Sequence, residues 1–413
     1  MTRSRFGFLS VVLMWSSANG LALADASAPA AGASLPAASA AATDLAQQAE
    51  AGEIQAQLAL AERLAGENRW EEAVRWYRAA AEQGSTQAQL QLGDAMLAGR
   101  GTVRDEARAV QWYRQAADQG LATAQVRLGE AYLSGVGLAR DPIRAVQWFT
   151  QAAEQGEPVG QLRLALAYDT GQGVARDAAR AVQWFTRAAE QGHPLAQSAL
   201  GDAYWQGEGV ARDPAQAVRW FTQAAEQGDT EAQFRLGQAL FQGVGVARDP
   251  ALAIQWWRRA AEADHREAAF ELAQTLARGE GVPVDKVAAA RWYTKAALQG
   301  EVRAQTALGI AYVAGDGVPK SFGEAFTWLS RAAELGDVRA QLLLGQLYYR
   351  GLGVPQNFEQ AYIWVDVAAS RYTGDGRLEV VRLRDALARL LSTEQLIRAQ
   401  GRALELVRSH NWR

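Results

Sequence analysis

Apolar residues recur along this chain with helical spacing, and the pattern itself repeats. In the stretch 228–263, Ala232, Leu236, Ala239 and Leu240 fall at i, i+4, i+7 and i+8. That is one face of a helix, over about Thr230 to Gln242. Gly237 removes a side chain from this helix and predicts a close approach by another. Gly243, Val244 and Gly245 then break it, because glycine enters left-handed backbone without a Cβ clash. Asp249 offers a cap oxygen and Pro250 occupies the first helical position after it. Ala253, Trp256, Trp257, Ala260 and Ala261 outline the apolar stripe of a second helix. Gly228 and Asp229 close the preceding helix and open the next, so the stretch reads as one helix pair.

The pair recurs without a register slip. Trp76, Trp112, Trp148, Trp184, Trp220, Trp256, Trp292, Trp328 and Trp364 each lie 36 residues after the last. Leu92, Leu128, Leu164, Leu200, Leu236, Leu272, Leu308 and Leu344 form a second row, and a Gly-x-Gly pair recurs from Gly99 and Gly101 to Gly351 and Gly353. A period of this length means stacked supersecondary units. The tryptophan row is expected to be structural repeat core, together with its neighbour row Tyr77, Tyr113, Phe149, Phe185, Phe221, Trp257 and Tyr293. The position before each second helix holds Asp105, Asp141, Asp177, Asp213, Asp249, Asp285, Ser321 and Asn357. What persists there is the ability to accept a backbone hydrogen bond, each such cap being worth about 1 kcal/mol. A row of catalytic carboxylates would not tolerate the serine and the asparagine.

Each unit resembles the Sel-one-like repeat (SLR) family, a subclass of tetratricopeptide-type α/α solenoids. The carrying residues are Ala-x-x-x-Leu-Gly-x-x-Tyr, then Gly-x-Gly-Val, then Ala-x-x-Trp-x-x-x-Ala-Ala. Ala196, Leu200, Gly201, Tyr204, Gly207, Gly209, Val210, Ala217, Trp220, Ala224 and Ala225 supply all of them in one repeat. The resemblance spans residues 52 to about 371. It departs at the first unit, Gly52 to Gln83, which is 32 residues long and lacks the Gly-x-Gly loop. Asp264 stands for a junction glycine, Gly160 for a small alanine, and Ala165 and Ala273 for a glycine. The fold implied is an all-α, right-handed α/α solenoid superhelix of about nine helix pairs over residues 44–371.

The ends leave the period. Arg3 and Arg5 precede an apolar run from Phe6 to Trp15, and Ala22, Leu23 and Ala24 offer a small-residue cleavage site. That predicts a secretory signal peptide over residues 1–24. Residues 25–43 are almost all Ala, Ser, Pro and Gly, which predicts a disordered linker. Beyond residue 371, Leu378 to Leu391 is apolar at helical spacing, and Ser392 to Gln395 resembles a capping box. A solenoid needs its terminal apolar face covered, so residues 372–413 are expected to be a C-terminal helical cap. Its Arg377, Arg382, Arg384 and Arg389 are expected to be a solvated face.

Composition narrows the chemistry. Cysteine is absent from the 413 residues, which excludes disulfides, thiolate metal sites and cysteine nucleophiles. It also removes the marker of the cysteine-rich SLR branch reported to act on β-lactams, so hydrolysis of that kind is a remote alternative. A formal charge of -3 gives no footprint for nucleic acid. No mature segment suits stable membrane insertion. The histidines His193, His265 and His410 have no spacing that builds a metal or catalytic set, and none of the Gly-x-Gly pairs follows a strand as a phosphate cradle would. No catalytic, cofactor or metal residue is assigned.

Surface is what such an array offers. The resemblance implies that the first helix of each pair lines a concave face where ligands lie. One row there holds Asp94, Glu130 and Asp202. A second runs Leu97, Leu133, Asp169, Trp205, Phe241, Ala277, Val313 and Tyr349, where Trp205, Phe241 and Tyr349 are aromatic without the fold requiring it. They are either interface anchors or padding between repeats. Arg104, Arg140, Arg176, Arg212 and Arg248 precede the caps, either as weak surface partners of their own aspartates or as a site for an anionic polysaccharide. The resulting expectation is a non-enzymatic scaffold, periplasmic or secreted, that binds a protein partner or peptide segment through Asp94, Glu130, Asp169, Asp202, Trp205, Phe241 and Tyr349. The alternative is a scaffold associated with exopolysaccharide.

Overall fold

A computed structural model describes residues 44–373, 376–410 and 412. The expected signal peptide and linker lie outside them. All regular structure among the described residues is helical. Helix α1 covers residues 44–50, and the first pair is α2 (Ile54–Gly66) with α3 (Trp70–Glu82). Eight pairs follow: α4 (Thr86–Ala98) with α5 (Glu106–Asp118), α6 (Ala122–Ser134) with α7 (Pro142–Glu154), α8 (Pro158–Thr170) with α9 (Ala178–Glu190), and α10 (Pro194–Gln206) with α11 (Pro214–Glu226). Then come α12 (Thr230–Gln242) with α13 (Pro250–Glu262), α14 (Arg266–Arg278) with α15 (Lys286–Leu298), α16 (Val302–Ala314) with α17 (Phe322–Glu334), and α18 (Val338–Arg350) with α19 (Phe358–Arg371). Helices α20 (Arg377–Ala388) and α21 (Thr393–Ser409) both pack on α19. The chain is a solenoid in which each helix packs on its sequence neighbours.

Local chemistry places the boundaries. The side chains of Asp105, Asp141, Asp177, Asp213, Asp249, Asp285, Ser321 and Asn357 all accept from backbone N–H groups in the first turn of the following helix. Ser392 and Gln395 form a reciprocal capping box at α21. Two glycines show what the repeat requires. A Cβ on Gly237 would sit 2.5 Å from the Trp257 ring, so the glycine sets how closely α12 and α13 approach. Gly245 has φ +74°, and a Cβ there would lie 2.3 Å from the Pro214 carbonyl of the preceding repeat. The loop thus rests directly on the start of the previous second helix.

The two aromatic rows differ in burial. Tyr77, Tyr113, Phe149, Phe185, Phe221, Trp257 and Tyr293 are enclosed between the helices of a pair. The tryptophan row, expected to be core, sits at its edge. Trp76, Trp112, Trp148, Trp184, Trp220, Trp256 and Trp292 are only half-buried, while Trp328 and Trp364 are buried at 7% and 9% exposure. Several of these rings carry a cation one helical turn on. Arg187 lies 4.3 Å over Trp184, Arg259 4.7 Å over Trp256 and Arg331 4.8 Å over Trp328.

A glutamine ladder joins successive repeats. Gln89, Gln125, Gln161, Gln197, Gln233, Gln305 and Gln341 are buried on the first helices. Each donates from Nε2 to a carbonyl at the end of the preceding second helix; for Gln89 that is Ala81, at 3.1 Å. The side-chain oxygens of Gln89, Gln125, Gln161 and Gln197 accept in turn from Gln119, Gln155, Gln191 and Gln227. The ladder breaks where Ala269 stands in the glutamine row. There Lys295 Nζ donates to the Ala261 carbonyl at 2.6 Å and pairs with Asp264 at 2.9 Å. Asp264 holds the left-handed conformation, φ 67°, that glycine adopts at the other junctions.

Candidate binding face on the first helices

The acidic row of the first helices is engaged between repeats. Asp94 lies 3.4 Å from Arg127, Glu130 2.5 Å from Arg163 and Asp202 3.4 Å from Arg235, each arginine belonging to the next repeat. Tyr113 also donates to Asp94, at 2.7 Å. Burial pushes the Asp202 carboxyl up to about 6 against the opposing pull of Arg235, with Glu231 and Asp229 adding to the rise. These three carboxylates pair across the boundaries between neighbouring repeats.

The second row divides. Leu97 is buried, and Trp205 and Phe241 are half-buried, with ring centroids 6.3 Å from Phe221 and 5.2 Å from Trp257. Both pad the interior of their own repeat. Asp169 is half-buried, and its carboxyl is raised by burial and by Glu208, with Arg176 opposing. Tyr349, against Phe358 at 6.0 Å, is 37% exposed and is the row's outward aromatic.

Four of the loop arginines close back on the helix before them, and Arg176 also reaches Glu208 of the next repeat. Arg140, Arg176, Arg212 and Arg248 donate from Nε to the carbonyls of Leu133, Asp169, Trp205 and Phe241, at 2.7–3.0 Å. Those carbonyls are orphans of the last helical turn, which have no acceptor role inside the helix. Arg104 pairs with Glu106. The cap aspartates Asp105, Asp141 and Asp177 pair with Arg108, Arg144 and Arg180, each at 3.3 Å, rather than with the arginines preceding them.

His265 is not a surface residue. Its side chain is 10% exposed, stacks on Phe234 at 4.7 Å, approaches Glu231 at 3.1 Å and accepts from the Ala268 N–H as a cap. His193 holds the equivalent position, and burial near Arg163 pushes its pKa down. Among the described residues no three His, Asp or Glu side chains converge as a metal site would need. No described helix is long and apolar enough to cross a membrane.

A groove of about 410 Å³ opens where α14, α16 and the start of α18 meet over α15. It arises from missing bulk. Ala277 stands in the row of Trp205, Phe241 and Tyr349, and Ala290 stands where earlier second helices carry Val110, Val146, Val182, Val218 and Ile254. Both alanines line the groove, with Phe270, Tyr293, Ala307 and Ile310. Its rim carries Arg278, Lys286, Arg303 and Arg339 against Asp316 and Asp337. Lys286 pairs with Asp316 at 2.7 Å, Arg303 lies 4.3 Å over Phe270, and Asp337 accepts from the Ala340 N–H as a cap. The departure of Ala277 and Ala290 from their rows is the signal in the sequence that marks this place.

Nine Sel1 repeats match the chain, over residues 71–85, 86–121, 122–157, 158–193, 194–229, 230–265, 266–301, 302–337 and 338–371. Among solved structures, it is similar to a protective antigen present in uropathogenic Escherichia coli strains, which displays an SLR fold. That likeness has 32% identity and a TM-score of 0.54, and covers 89% of this chain and 95% of the other. It is also similar to a Sel1 repeat protein from Oxalobacter formigenes, at 35% identity and a TM-score of 0.58, over 74% of this chain and 89% of that one. Among curated protein sequences nothing matches. With nine matched repeats and helix pairs stacked in their register, the chain belongs to the Sel1 repeat family, whose members are generally non-enzymatic scaffolds for protein interaction.

Proposed function

We propose that this chain is an exported scaffold of the bacterial cell envelope, periplasmic or secreted, that holds a segment of a partner protein on its first-helix face. The observation that carries the reading is the groove at Ala277 and Ala290. Elsewhere on that face Asp94, Glu130 and Asp202 pair with arginines of the next repeat, and Trp205 and Phe241 pack inside their own. Here a floor of Ile310 and alanines lies in a groove whose rim cations Arg278, Lys286 and Arg303 pair with Glu280, Asp316 and Glu271 in exposed contacts. Such a place suits an extended segment with an apolar anchor and polar flanks that exchange with these exposed pairs. Export rests on the leader pattern at Arg3 to Ala24, and the likeness to a protective antigen supports it.

The test fills the groove. Ala277→Trp installs the residue that Trp205 already places at the same repeat position, so the fold accommodates it. Capture of partners from the native envelope by the wild-type chain, and their loss with Ala277→Trp at an unchanged melting temperature, is the expected result. Equal capture by both proteins would overturn the groove as the site.

A further inference from the structure

On the solvent side of α21, Ile397 is 64% exposed and Leu404 51% exposed, with Gly401 exposed between them. The three lie at i, i+4 and i+7, one helical face. The opposite face buries Ala399 and Ala403 in the cluster that includes Tyr362 and Val365 of α19. Glycine is unfavourable inside a helix, yet nothing in the chain lies within 4 Å of where a Gly401 Cβ would be. No internal contact therefore calls for it. The same face ends in Glu394, seven residues before Gly401, and Arg408, seven after.

We propose that this face is a self-association surface, on which α21 of a second copy crosses antiparallel at Gly401. The missing Cβ lets the two backbones approach, and Ile397 and Leu404 of both copies pack around the crossing. At a rise of about 1.5 Å per residue, Glu394 and Arg408 lie roughly 10 Å to either side of it. A two-fold axis through the glycine then sets each Glu394 against Arg408 of the other copy, twice over. Arg398 and Glu405 repeat the relation along one flank of the stripe. Within one chain, Glu394 pairs with Arg398 at 3.1 Å and Glu405 with Arg402 at 2.7 Å, exposed contacts that exchange at little cost. A parallel crossing would oppose glutamate with glutamate and arginine with arginine, so charge selects the antiparallel one.

The absence of native cysteine makes the geometry directly readable. Light scattering on the purified chain should show a mass that rises from monomer to dimer with concentration. Ile397→Glu combined with Leu404→Glu should hold it at monomer with unchanged helicity and melting. Gly401→Cys should oxidise to a covalent dimer, and a mixture of Glu394→Cys and Arg408→Cys proteins should cross-link to each other in preference to themselves. A chain that stays monomeric into the high micromolar range overturns the proposal, as does preferential cross-linking of Glu394→Cys to itself.

Discussion

Gln119 donates from Nε2 to Gln89 Oε1 over 2.9 Å, while Gln89 donates across the repeat boundary to the Ala81 carbonyl over 3.1 Å. One buried amide thereby adds a second donor to a carbonyl of the previous repeat, which also accepts from the Gly84 N–H, and accepts from a side chain of its own repeat. In a solenoid, where stability is a sum of intrinsic and nearest-neighbour terms, bonds of this kind belong to the coupling between units.

The ladder has two open rungs. Gln233 Oε1 and Gln305 Oε1 are buried without a partner, because Ala263 and Leu335 stand where the other repeats supply a donating glutamine. Leu335 is 58% exposed, so Leu335→Gln sacrifices little packing. The substitution should stabilise the array by about 1 kcal/mol, the net worth of a hydrogen bond that also relieves an unsatisfied acceptor. Conversely, Gln197→Leu should cost about 1–3 kcal/mol by removing two buried bonds, one to the Ala189 carbonyl, which keeps its bond from the Gly192 N–H, and one from Gln227. Denaturant melts, with amide exchange at the flanking helices, separate the two outcomes. A neutral Leu335→Gln would mean that the rung is not formed.

Two adjacent residues distinguish the core from its edge. Phe221 is fully enclosed, whereas Trp220 is half-buried. Phe221→Ala should cost about 3–5 kcal/mol, as large core truncations do, and Trp220→Ala roughly half as much despite the larger side chain. Equal losses would show that the tryptophan edge is closed in solution.

What the sequence revealed follows from which physics is local. The first helix expected at Thr230 to Gln242 has those bounds, and the cap row behaves as caps, because both depend on residues within a few positions. The tryptophan row packs on the core at varying depth. Its periodicity marks a required position but not how deeply the ring is enclosed, and a cation can cover an open face. The glutamine ladder escaped because a polar residue on a helix reads as solvated; only its recurrence at 36 residues, from Gln89 to Gln233, could have exposed it. The pairing of Asp94 with Arg127 joins residues 33 apart in different units, which no single-helix pattern contains. The groove is marked by absent bulk, and an alanine among alanines carries little signal until it is compared with its own row.

Gly245 and Gly228 test conformation against packing. Both have positive φ, +74° and +93°, but a Cβ on Gly228 meets nothing within 4 Å, while one on Gly245 meets the Pro214 carbonyl at 2.3 Å. Gly228→Ala should therefore cost only the left-handed penalty, about 1 kcal/mol. Gly245→Ala adds an overpacking cost of roughly 1–3 kcal/mol and should loosen the preceding repeat. Amide exchange in α11 reads this directly, and protection there that is unchanged in Gly245→Ala would contradict the loop contact.

Asp202 should make stability depend on pH. Its carboxyl titrates near 6 in the folded chain instead of near its ordinary 3.8, because burial outweighs the ion pair with Arg235. A folded-state pKa above the unfolded value means that the folded form binds the proton more tightly. The carboxyl therefore favours folding below its ordinary pKa, and that benefit is lost as pH rises through about 6. Glu231, Asp229 and His265 face the same cluster, with Glu231 shared between Arg235 and His265. Asp202→Asn keeps the shape and removes the ionisation. It should raise stability at pH 7.5 by up to about 3 kcal/mol, and the advantage should shrink to nothing as pH falls below about 4. Melting curves of the two proteins across that range provide the measurement. An asparagine variant less stable than wild type at neutral pH would mean that the Arg235 pair, and not burial, governs the carboxylate.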